Sequence, residues 1–512
     1  MKKIYIWMLS FLLASLQLHA QTASDTKLEI YQIKVSEGHA TLVVTKNNAG
    51  TIIYKSVLID AGESKNDAIL IEQVINRNDV ARGRLDVVMI THHDQDHWGG
   101  LPGSNGLLSK RCTSTGSLRS SNPNPLKLYM SLDAINPPES DRMKEAQLIA
   151  QYGNNIEVRN WEQDLDIDLM PVLAPAIPIF IRTIAINGMR RDGTDRLILN
   201  SGGVRKNKSS AVASVVWGAF SFLIQGDLMA DKSNASILRT TTEYRRNEQG
   251  KRLPNLWTGS GIQNAKIATR AQMKSGYSAA YFIRGRNEAL KESVELGVTS
   301  SYFADKPGFK YPHWVGNPAE WHVKLGNTIN AYNGTANKYG HACVALVPHH
   351  GALTSNHWFH TTHAIIGSND ENNFGHPNVK AIASLYNTSG AKNFYITYLL
   401  NKSVAVGAGD KRRRVDVDRL DEMNQLLRGT YSAQSYEPGG STATTYLPGA
   451  KVWYLDDVGS VVSGTRSSAL VGPVGNTTGS PAYFKVEIDN TGAYQIASDT
   501  QLLRAKAACD GH

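Results

Sequence analysis

The feature that most constrains this 512-residue sequence is a short apolar run that ends in a dense cluster of histidines and aspartates. Residues 85–90 have the length and the branched side chains of a buried strand, and His92, Asp94, Asp96 and His97 follow at once. Imidazole nitrogens and carboxylate oxygens bind divalent cations, and a loop leaving a strand can turn several of them toward one point. In a merely solvated loop, like charges packed this closely would repel one another. The segment therefore predicts a metal site at a strand end.

Polar residues also follow three other apolar runs. Asp60 ends one run, Asp227 ends a second, and the pair His349 and His350 ends a third. Each has an ordinary alternative, because Gly-Asp is a common turn pair and a single histidine is often a core or surface residue. Taken with the first cluster, they predict four strand ends that meet at one site.

The apolar pattern predicts a mixed α/β fold. Strand, helix and strand in succession indicate a crossover unit, and paired runs around short turns indicate hairpins. We predict a three-stranded meander, a helix and a fourth strand, then a hairpin, a buried strand and two C-terminal strand pairs, over residues 28–35, 40–45, 52–60, 66–76, 85–90, 211–217, 220–224, 343–347, 451–455, 460–462, 483–488 and 493–497, with further helices over 287–296 and 417–427.

Three long polar stretches lie between these elements. Residues 104–206, 229–340 and 401–450 are far longer than ordinary connections of about 4–6 residues. We predict that they are insertions on a single domain spanning residues 27–465, which is followed by a β-rich extension over residues 466–512.

The N-terminus predicts export. Lys2 and Lys3 precede an apolar run over residues 4–18, and Ala20 offers the small residue that a signal peptidase needs. The run is shorter than the ~20 apolar residues that span a bilayer. We therefore predict that residues 1–20 are a cleaved signal peptide, that the mature protein has no transmembrane segment, and that it is periplasmic or extracellular.

Composition narrows the class of protein. A hydrophobic content of 41% allows a sizeable core, and three cysteines exclude both a disulfide scaffold and a thiolate-rich metal cage. We predict that Cys343 is an inert apolar residue of a buried strand, which leaves Cys112 and Cys509 open to pairing after export. The net charge of +9 is compatible with an anionic substrate, nucleic acid included.

The cluster after residues 85–90 resembles a known signature. The segment from His92 to Gly100 matches H-x-D-x-D-H-x-G-G, which is similar to the signature of the ComEC-like branch of the metallo-β-lactamase superfamily. Further segments match that branch in the same order along the chain, over residues 58–62, 226–227, 349–351, 375–377 and 453–462.

This resemblance implies an αββα sandwich, two β-sheets flanked by helices, with one or two divalent metal ions at one edge. It also implies a role for each matching residue. His92 and Asp94 would hold a first ion, Asp96 and His97 a second, and Asp227 would bridge them. Of the pair after the third run, His349 is favoured over His350 to complete the second site, because it comes first off the strand. Asp60 would orient a histidine ligand, and His376 would donate a proton.

One departure from the superfamily bears on the metal. The wider superfamily has another histidine ligand before the bridging aspartate, but this chain has no histidine between His97 and His313. The donors left for the first ion are weighted toward oxygen, which favours Mn²⁺ or a weakly held ion over a tight Zn²⁺ site.

The resemblance implies a metal-dependent hydrolase, for which we expect phosphodiester or nuclease-type cleavage by a metal-bound hydroxide. Asp96, Asp227 and His376 would be its catalytic residues. Two alternatives stay open: a lactamase- or esterase-like hydrolase of a small carbonyl substrate, and a secreted binding protein that keeps the fold without turnover. The sequence does not predict an oligomeric state.

Overall fold

The structure of the protein, a computed structural model, describes residues 25–36, 38–113, 116–119, 125–130, 148–162, 164–170, 177–186, 189–190, 210–228, 342–352, 361–368, 376–377, 379–386, 390–399, 401–406, 413–428, 447–455, 460–465 and 482–509. The predicted signal peptide, the whole of the predicted insertion 229–340 with its helix, and the turn between the strands near 455 and 461 lie outside these residues.

Strands dominate the described residues. In chain order they are β1 Thr26–Ile33, β2 Thr41–Asn47, β3 Ile53–Ile59, β4 Val87–Ile90, β5 Leu126–Met130, β6 Ile156–Asn160, β7 Asp166–Asp168, β8 Ile179–Ile186, β9 Met189–Arg190, β10 Val212–Trp217, β11 Phe220–Ile224, β12 Val344–Leu346, β13 His363–Ile366, β14 Asn393–Ile396, β15 Asn401–Val406, β16 Arg413–Asp418, β17 Lys451–Leu455, β18 Val461–Gly464, β19 Tyr483–Ile488, β20 Tyr494–Ser498 and β21 Leu502–Ala507.

Helices fall between these strands. They are α1 Lys65–Asn76, α2 Gln95–Trp98, α3 Leu107–Cys112, α4 Val379–Ser384 and α5 Arg419–Arg428, with single 3-10 turns at Gly153–Asn155 and Pro348–Gly351. Within the described residues, none of the helices combines the length and the apolar character needed to cross a bilayer.

The strands form two large sheets and a small ribbon. The first sheet has the order β21-β20-β19-β1-β2-β3-β4-β5-β6, and the second has the order β18-β17-β14-β13-β12-β11-β10-β8-β7, with β9 beside β8. Strands β15 and β16 pair separately. In each large sheet an antiparallel part adjoins a parallel part: β3 pairs β4 in parallel, and β11 pairs β12 in parallel.

Alternate residues of the first sheet face two different cores. Leu28 and Ile30 of β1 lie in a core that also contains Val215 and Phe222 of the second sheet. Residues such as Leu58 of β3 lie instead in a core with the apolar face of helix α1, which is formed by Ala68, Ile71, Val74 and Ile75. This is the period of two that a strand buried on both faces requires. Because each fully buried aliphatic side chain contributes about 1.5–3 kcal/mol, the two cores hold the strand ends in fixed positions.

The predicted α/β class and sandwich are confirmed. The predicted meander appears as β1 to β3, the crossover as β3, α1 and β4, and the hairpin as β10 and β11, in which Trp217 pairs with Phe220. The C-terminal strands β19 to β21 extend the first sheet beside β1. The predicted helix over 417–427 lies at Arg419–Arg428, because residues 413–418 belong to β16.

One predicted insertion contains strands of the core. The stretch 104–206 supplies β5 and β6 to the first sheet and β7, β8 and β9 to the second. The apolar residues of β6 and β7 stand among polar neighbours, as in Asp166–Asp168, so these strands give a weak pattern. Strand β8 is an eight-residue, mostly apolar run that the sequence prediction missed.

The predictions for the cysteines were wrong. Cys343, which we predicted to be an inert apolar residue, forms a disulfide with Cys509, and Cys112 is free and buried. The bond joins residues 166 positions apart, a contact that no local pattern reveals. Burial raises the pKa of the Cys112 thiol to about 11, which makes it a poor nucleophile at neutral pH.

Candidate metal centre

Strands of both sheets deliver the predicted cluster to one place. Strand β4 ends at Ile90, and the chain then passes through His92 and Asp94 into helix α2, which carries Asp96 and His97. Asp60 directly follows β3 in the same sheet. From the second sheet, Asp227 lies just beyond β11 and the His349-His350 pair just beyond β12.

The carboxylate of Asp227 is at the centre of this cluster. Its Oδ1 atom lies 3.0 Å from His97 Nε2, 3.5 Å from His350 Nε2 and 3.8 Å from His39 Nε2. The four residues are all buried, and their four donor atoms lie within 4.8 Å of one another. Three imidazoles and a carboxylate this close together can bind one divalent cation.

Asp96 adjoins the same group. Its Oδ2 atom lies 3.0 Å from His350 Nε2 and 3.7 Å from His97 Nε2. Asp96 and Asp227 therefore bring two carboxylates to the same pair of imidazoles.

The second oxygen of Asp227 faces other donors. Its Oδ2 atom lies 4.0 Å from His92 Nε2 and 3.9 Å from His349 Nε2. Asp94 Oδ2 lies 3.7 Å from His92 Nε2, and the Asp94 side chain is partly exposed. The two oxygens of Asp227 thus face two separate groups of ligand atoms, as a bridging carboxylate would.

Hydrogen bonds fix which ring nitrogen faces the cluster. His97 Nδ1 lies 2.8 Å from Asp60 Oδ2, and His350 Nδ1 donates to the carbonyl oxygen of Gly367 at 2.9 Å. In the neutral ring the proton then resides on Nδ1, so each Nε2 presents a lone pair to the carboxylates. Two lone pairs facing two carboxylates require positive charge between them, either protons or a cation. Asp60 stands where an orienting residue is needed, and that role stays a prediction.

The pKa values of these residues also indicate that positive charge is favoured between the imidazoles and the carboxylates. Burial by itself lowers the pKa of His97, but Asp227, Asp60 and Asp96 raise it well above the usual range. The pKa of His350 is likewise lowered by burial and raised, with a net increase, by Asp227 and Asp96. Burial raises the pKa of Asp227, yet His97 and His350 hold it well below the usual range. The carboxylates therefore stay ionised and demand a positive partner.

Several buried nitrogen and oxygen atoms of the cluster have no hydrogen-bond partner among the described residues, and a divalent cation would fit between them. Among the described residues, none offers a hydrogen bond to the following buried atoms: His39 Nδ1 and Nε2, His92 Nε2, His97 Nε2 and Asp227 Oδ1. Buried polar atoms are normally paired, and each unpaired one costs about 1–3 kcal/mol. Coordination to a cation would satisfy the nitrogens and the oxygen that face each other.

The His349-His350 pair differs from the sequence prediction. Both residues adopt left-handed backbone conformations, with φ of 51° and 53°, which cost about 1–2 kcal/mol each for a residue with a side chain. The two rings point apart, with centroids 6.3 Å from each other. It is His350 that lies beside Asp96 and His97, whereas His349, the residue favoured for that position, lies beside Asp227 Oδ2. Order along the chain could not decide this, because the backbone turns within the pair.

His376 also reaches the cluster from a loop that lies before α4. Its ring centroid is 5.7 Å from that of His349 and 6.1 Å from that of His350, and its side chain is half-buried. The predicted proton-donor role is compatible with this place and stays a prediction.

Sequence reasoning missed His39. This residue lies in the turn between β1 and β2, far from the other ligands along the chain, in a segment with no dense polar cluster. The topology offers a signal, because β2 is antiparallel to β3 and Thr41 pairs with Ile59. The turn before β2 must therefore lie at the edge where β3 ends, which is where Asp60 stands.

The fold and the cluster together define a class: a mixed α/β sandwich with a candidate divalent-cation centre where strands of both sheets end. The sequence model of the Metallo-beta-lactamase superfamily matches residues 41–104, which run from β2 past helix α2 and include the four clustered residues after β4. The match supports a metal-dependent hydrolase in general and names no specific activity.

Comparisons with curated proteins and with solved structures add little to this match. No curated protein matches the chain. One similar solved structure is that of a "Putative metal-dependent hydrolase" from Parabacteroides distasonis ATCC 8503, which is 11% identical over 47% of this chain and 83% of that chain, with a TM-score of 0.18. At that TM-score the likeness does not bear on the fold.

Proposed function

We propose that the protein is an exported metal-dependent hydrolase that cleaves phosphodiesters. The observation that carries the proposal is the convergence of the buried imidazoles of His39, His97 and His350 on the carboxylate of Asp227. Among the described residues, His39 Nε2, His97 Nε2 and Asp227 Oδ1 have no hydrogen-bond partner. A divalent cation held there would activate water for attack and stabilise the negative charge that develops on a substrate oxygen.

The residues of the chain have distinct tasks in this proposal. The carboxylates of Asp227 and Asp96 stabilise positive charge at the centre. Their oxygens lie 3.0–3.7 Å from the Nε2 atoms of His97 and His350. Asp60 accepts a hydrogen bond from His97 Nδ1–H, which leaves Nε2 of the neutral ring to face the cluster. His376 is placed at the rim of the cluster, where a proton can be delivered to a leaving group.

Two features favour phosphodiesters over other substrates. The segment from His92 to Gly100 resembles the ComEC-like branch of the metallo-β-lactamase superfamily, which is linked with nuclease-type cleavage. The net charge of +9 suits an anionic substrate. On this proposal, a nucleic acid strand is one of the substrates to test.

The disulfide supports export. Disulfides such as Cys343–Cys509 persist in oxidising compartments and are rare in the cytosol. The signal-like segment over residues 1–20 points the same way. Whether the protein is released or stays in a periplasm is tested by fractionating the cells that produce it.

A substrate panel tests the proposed reaction. The purified protein, loaded with Zn²⁺ or Mn²⁺ in turn, is given bis(p-nitrophenyl) phosphate, single-stranded DNA, a chromogenic β-lactam and a p-nitrophenyl ester. We expect turnover of the phosphodiesters that a chelator abolishes. Turnover of the β-lactam or the ester alone would favour the carbonyl hydrolase instead.

A pair of aspartate variants separates catalysis from binding. Asp96→Ala removes a carboxylate of the cluster and should lower the rate by about 10³-fold or more, because cation stabilisation of the transition state is worth several kcal/mol. Asp79→Ala, at a residue whose side chain is 65% exposed, should leave the rate unchanged. If metal binds but no substrate of any class turns over, the protein is a binding protein that retains the fold.

A further inference from the structure

We infer that His39 is a ligand of the cation position at Asp227 Oδ1, and that this position is a zinc site with three imidazole ligands, His39, His97 and His350. The inference deepens the proposed function and rests on it in one respect only, that a divalent cation occupies the cluster. It gives a ligand role to a residue that lies outside the motif from His92 to Gly100.

His39 has the environment of a ligand and not of a core histidine. The residue is 1% exposed, and neither ring nitrogen has a hydrogen-bond partner among the described residues. The ring stacks on that of His350, with centroids 4.3 Å apart and planes 18° from parallel. A cation beside Asp227 would satisfy Nε2, which lies 3.8 Å from Asp227 Oδ1.

The distances suit a shared ion. Two atoms that bind one ion at about 2.1 Å each lie roughly 3–4 Å from one another. The Nε2 atoms of His39, His97 and His350 lie 3.8, 3.0 and 3.5 Å from Asp227 Oδ1. Although His97 Nε2 and Asp227 Oδ1 are close, their alignment is not that of a hydrogen bond. Each of the three nitrogens therefore has the spacing of a shared ligand from Asp227 Oδ1, and all four atoms lie within 4.8 Å of one another.

The backbone holds His39 in this place. Its carbonyl oxygen accepts a hydrogen bond from Gly62 N–H at 3.0 Å, which ties the β1–β2 turn to the segment after β3. A Cβ atom on Gly38 would lie 1.6 Å from the carbonyl oxygen of Asp96, and one on Gly367 would lie 2.5 Å from His39 Nδ1. Glycine at these two positions thus lets the turn approach the cluster and leaves room for the ring.

The added imidazole bears on the expected metal at this position. The sequence favoured Mn²⁺ or a weakly held ion for the first ion only, whose donors are His92, Asp94 and Asp227. With His39, the position at Asp227 Oδ1 has three nitrogen ligands, a set that prefers Zn²⁺ to the oxygen-seeking Mn²⁺. The donor set of the first ion, His92, Asp94 and Asp227, is unchanged by this assignment.

A matched pair of variants tests the assignment. His39→Gln removes the imidazole but keeps a polar side chain of similar size, and His363→Gln makes the same change at a buried histidine outside the cluster. Zinc affinity is measured by competition with a chromogenic chelator, and the visible spectrum is recorded with Co²⁺ as a replacement. Loss of an orienting residue costs 10–100-fold in metal affinity, so loss of a ligand should lower zinc affinity by about 100-fold or more and alter the cobalt spectrum. His363→Gln should change neither.

A second measurement needs no variant. X-ray absorption is recorded at the zinc edge of the wild-type protein loaded with one equivalent of Zn²⁺. We expect three imidazoles around the ion. Two imidazoles, or a folded His39→Gln protein with wild-type zinc affinity and an unchanged cobalt spectrum, would overturn the assignment of His39 alone. A wild-type protein that binds no divalent cation would overturn the proposed function as well.

Discussion

Buried histidines in two regions of this protein have pKa shifts of opposite sign: His363 in one, and His97 with His350 in the other. His363 lies at the start of β13, 3% exposed, with Nδ1 3.1 Å from the hydroxyl of Tyr395. Burial lowers the pKa of His363 to about 3, with a smaller contribution from Arg504. His97 and His350 are as deeply buried, yet their pKa values are raised.

The difference lies in the neighbours and not in the burial. An imidazole in an apolar core stays neutral because the charged form is poorly solvated there. His97 and His350 instead face the carboxylates of Asp96 and Asp227 at 3.0–3.7 Å, which makes positive charge favourable in spite of burial. Carboxylates opposite buried ring nitrogens, and not a count of buried histidines, therefore mark a place for positive charge, whether a proton or a cation.

The largest effect is expected from removing the central charge of the cluster. Asp227→Asn keeps the shape of the side chain but removes the negative charge that His97 and His350 face. We expect loss of the bound cation and a fall in hydrolysis of about 10³-fold or more, measured by metal analysis of the purified variant and by turnover.

Asp166→Asn is the control, because Asp166 is a partly exposed residue that pairs with Arg182 outside the cluster. Retention of metal and activity by Asp227→Asn would break the comparison, since the carboxylate would then not be what distinguishes the two histidine environments.

A smaller effect is expected from the core histidine, and it depends on pH. Because its folded-state pKa lies below the unfolded value of about 6.5, His363 takes up a proton on unfolding, and stability is lost as the pH falls from about 6.5 toward 3. Between pH 6.5 and 4.5 this should cost the wild-type protein about 2–3 kcal/mol relative to His363→Gln.

Urea unfolding of the two proteins at a series of pH values measures this difference. The contributions of the other titrating groups cancel in the comparison of variant and wild type. Stability profiles that run parallel over this pH range would show that His363 is not held neutral by burial.

The smallest effect is expected from the residue that orients His97. Asp60→Asn preserves an oxygen for the Thr91 N–H and suits the left-handed backbone at position 60, where φ is 59°. It weakens the acceptor for His97 Nδ1, and we expect metal affinity to fall 10–100-fold, or about 1.4–2.7 kcal/mol. Titration with a competing chelator measures it. An unchanged affinity would mean that the tautomer of His97 is fixed without a charged partner.

Local patterns predicted most of the framework of the site. The strands before Asp60, His92, Asp227 and His349 are short apolar runs, and each stands within a few residues of its predicted place. The prediction succeeded because strands buried on both faces are continuous apolar segments, which the sequence displays directly. The convergence of their ends followed from the parallel pairing of β3 with β4 and of β11 with β12.

The sequence by itself determined which residue types stand at the strand ends, and hence that divalent-cation chemistry is available. Only the tertiary structure decided that His39 joins them, that His350 and not His349 lies beside Asp96, and that Cys343 pairs with Cys509. The physical reason is that a strand forms from neighbours along the chain, whereas these contacts depend on how distant strands pair and on how the backbone turns between them.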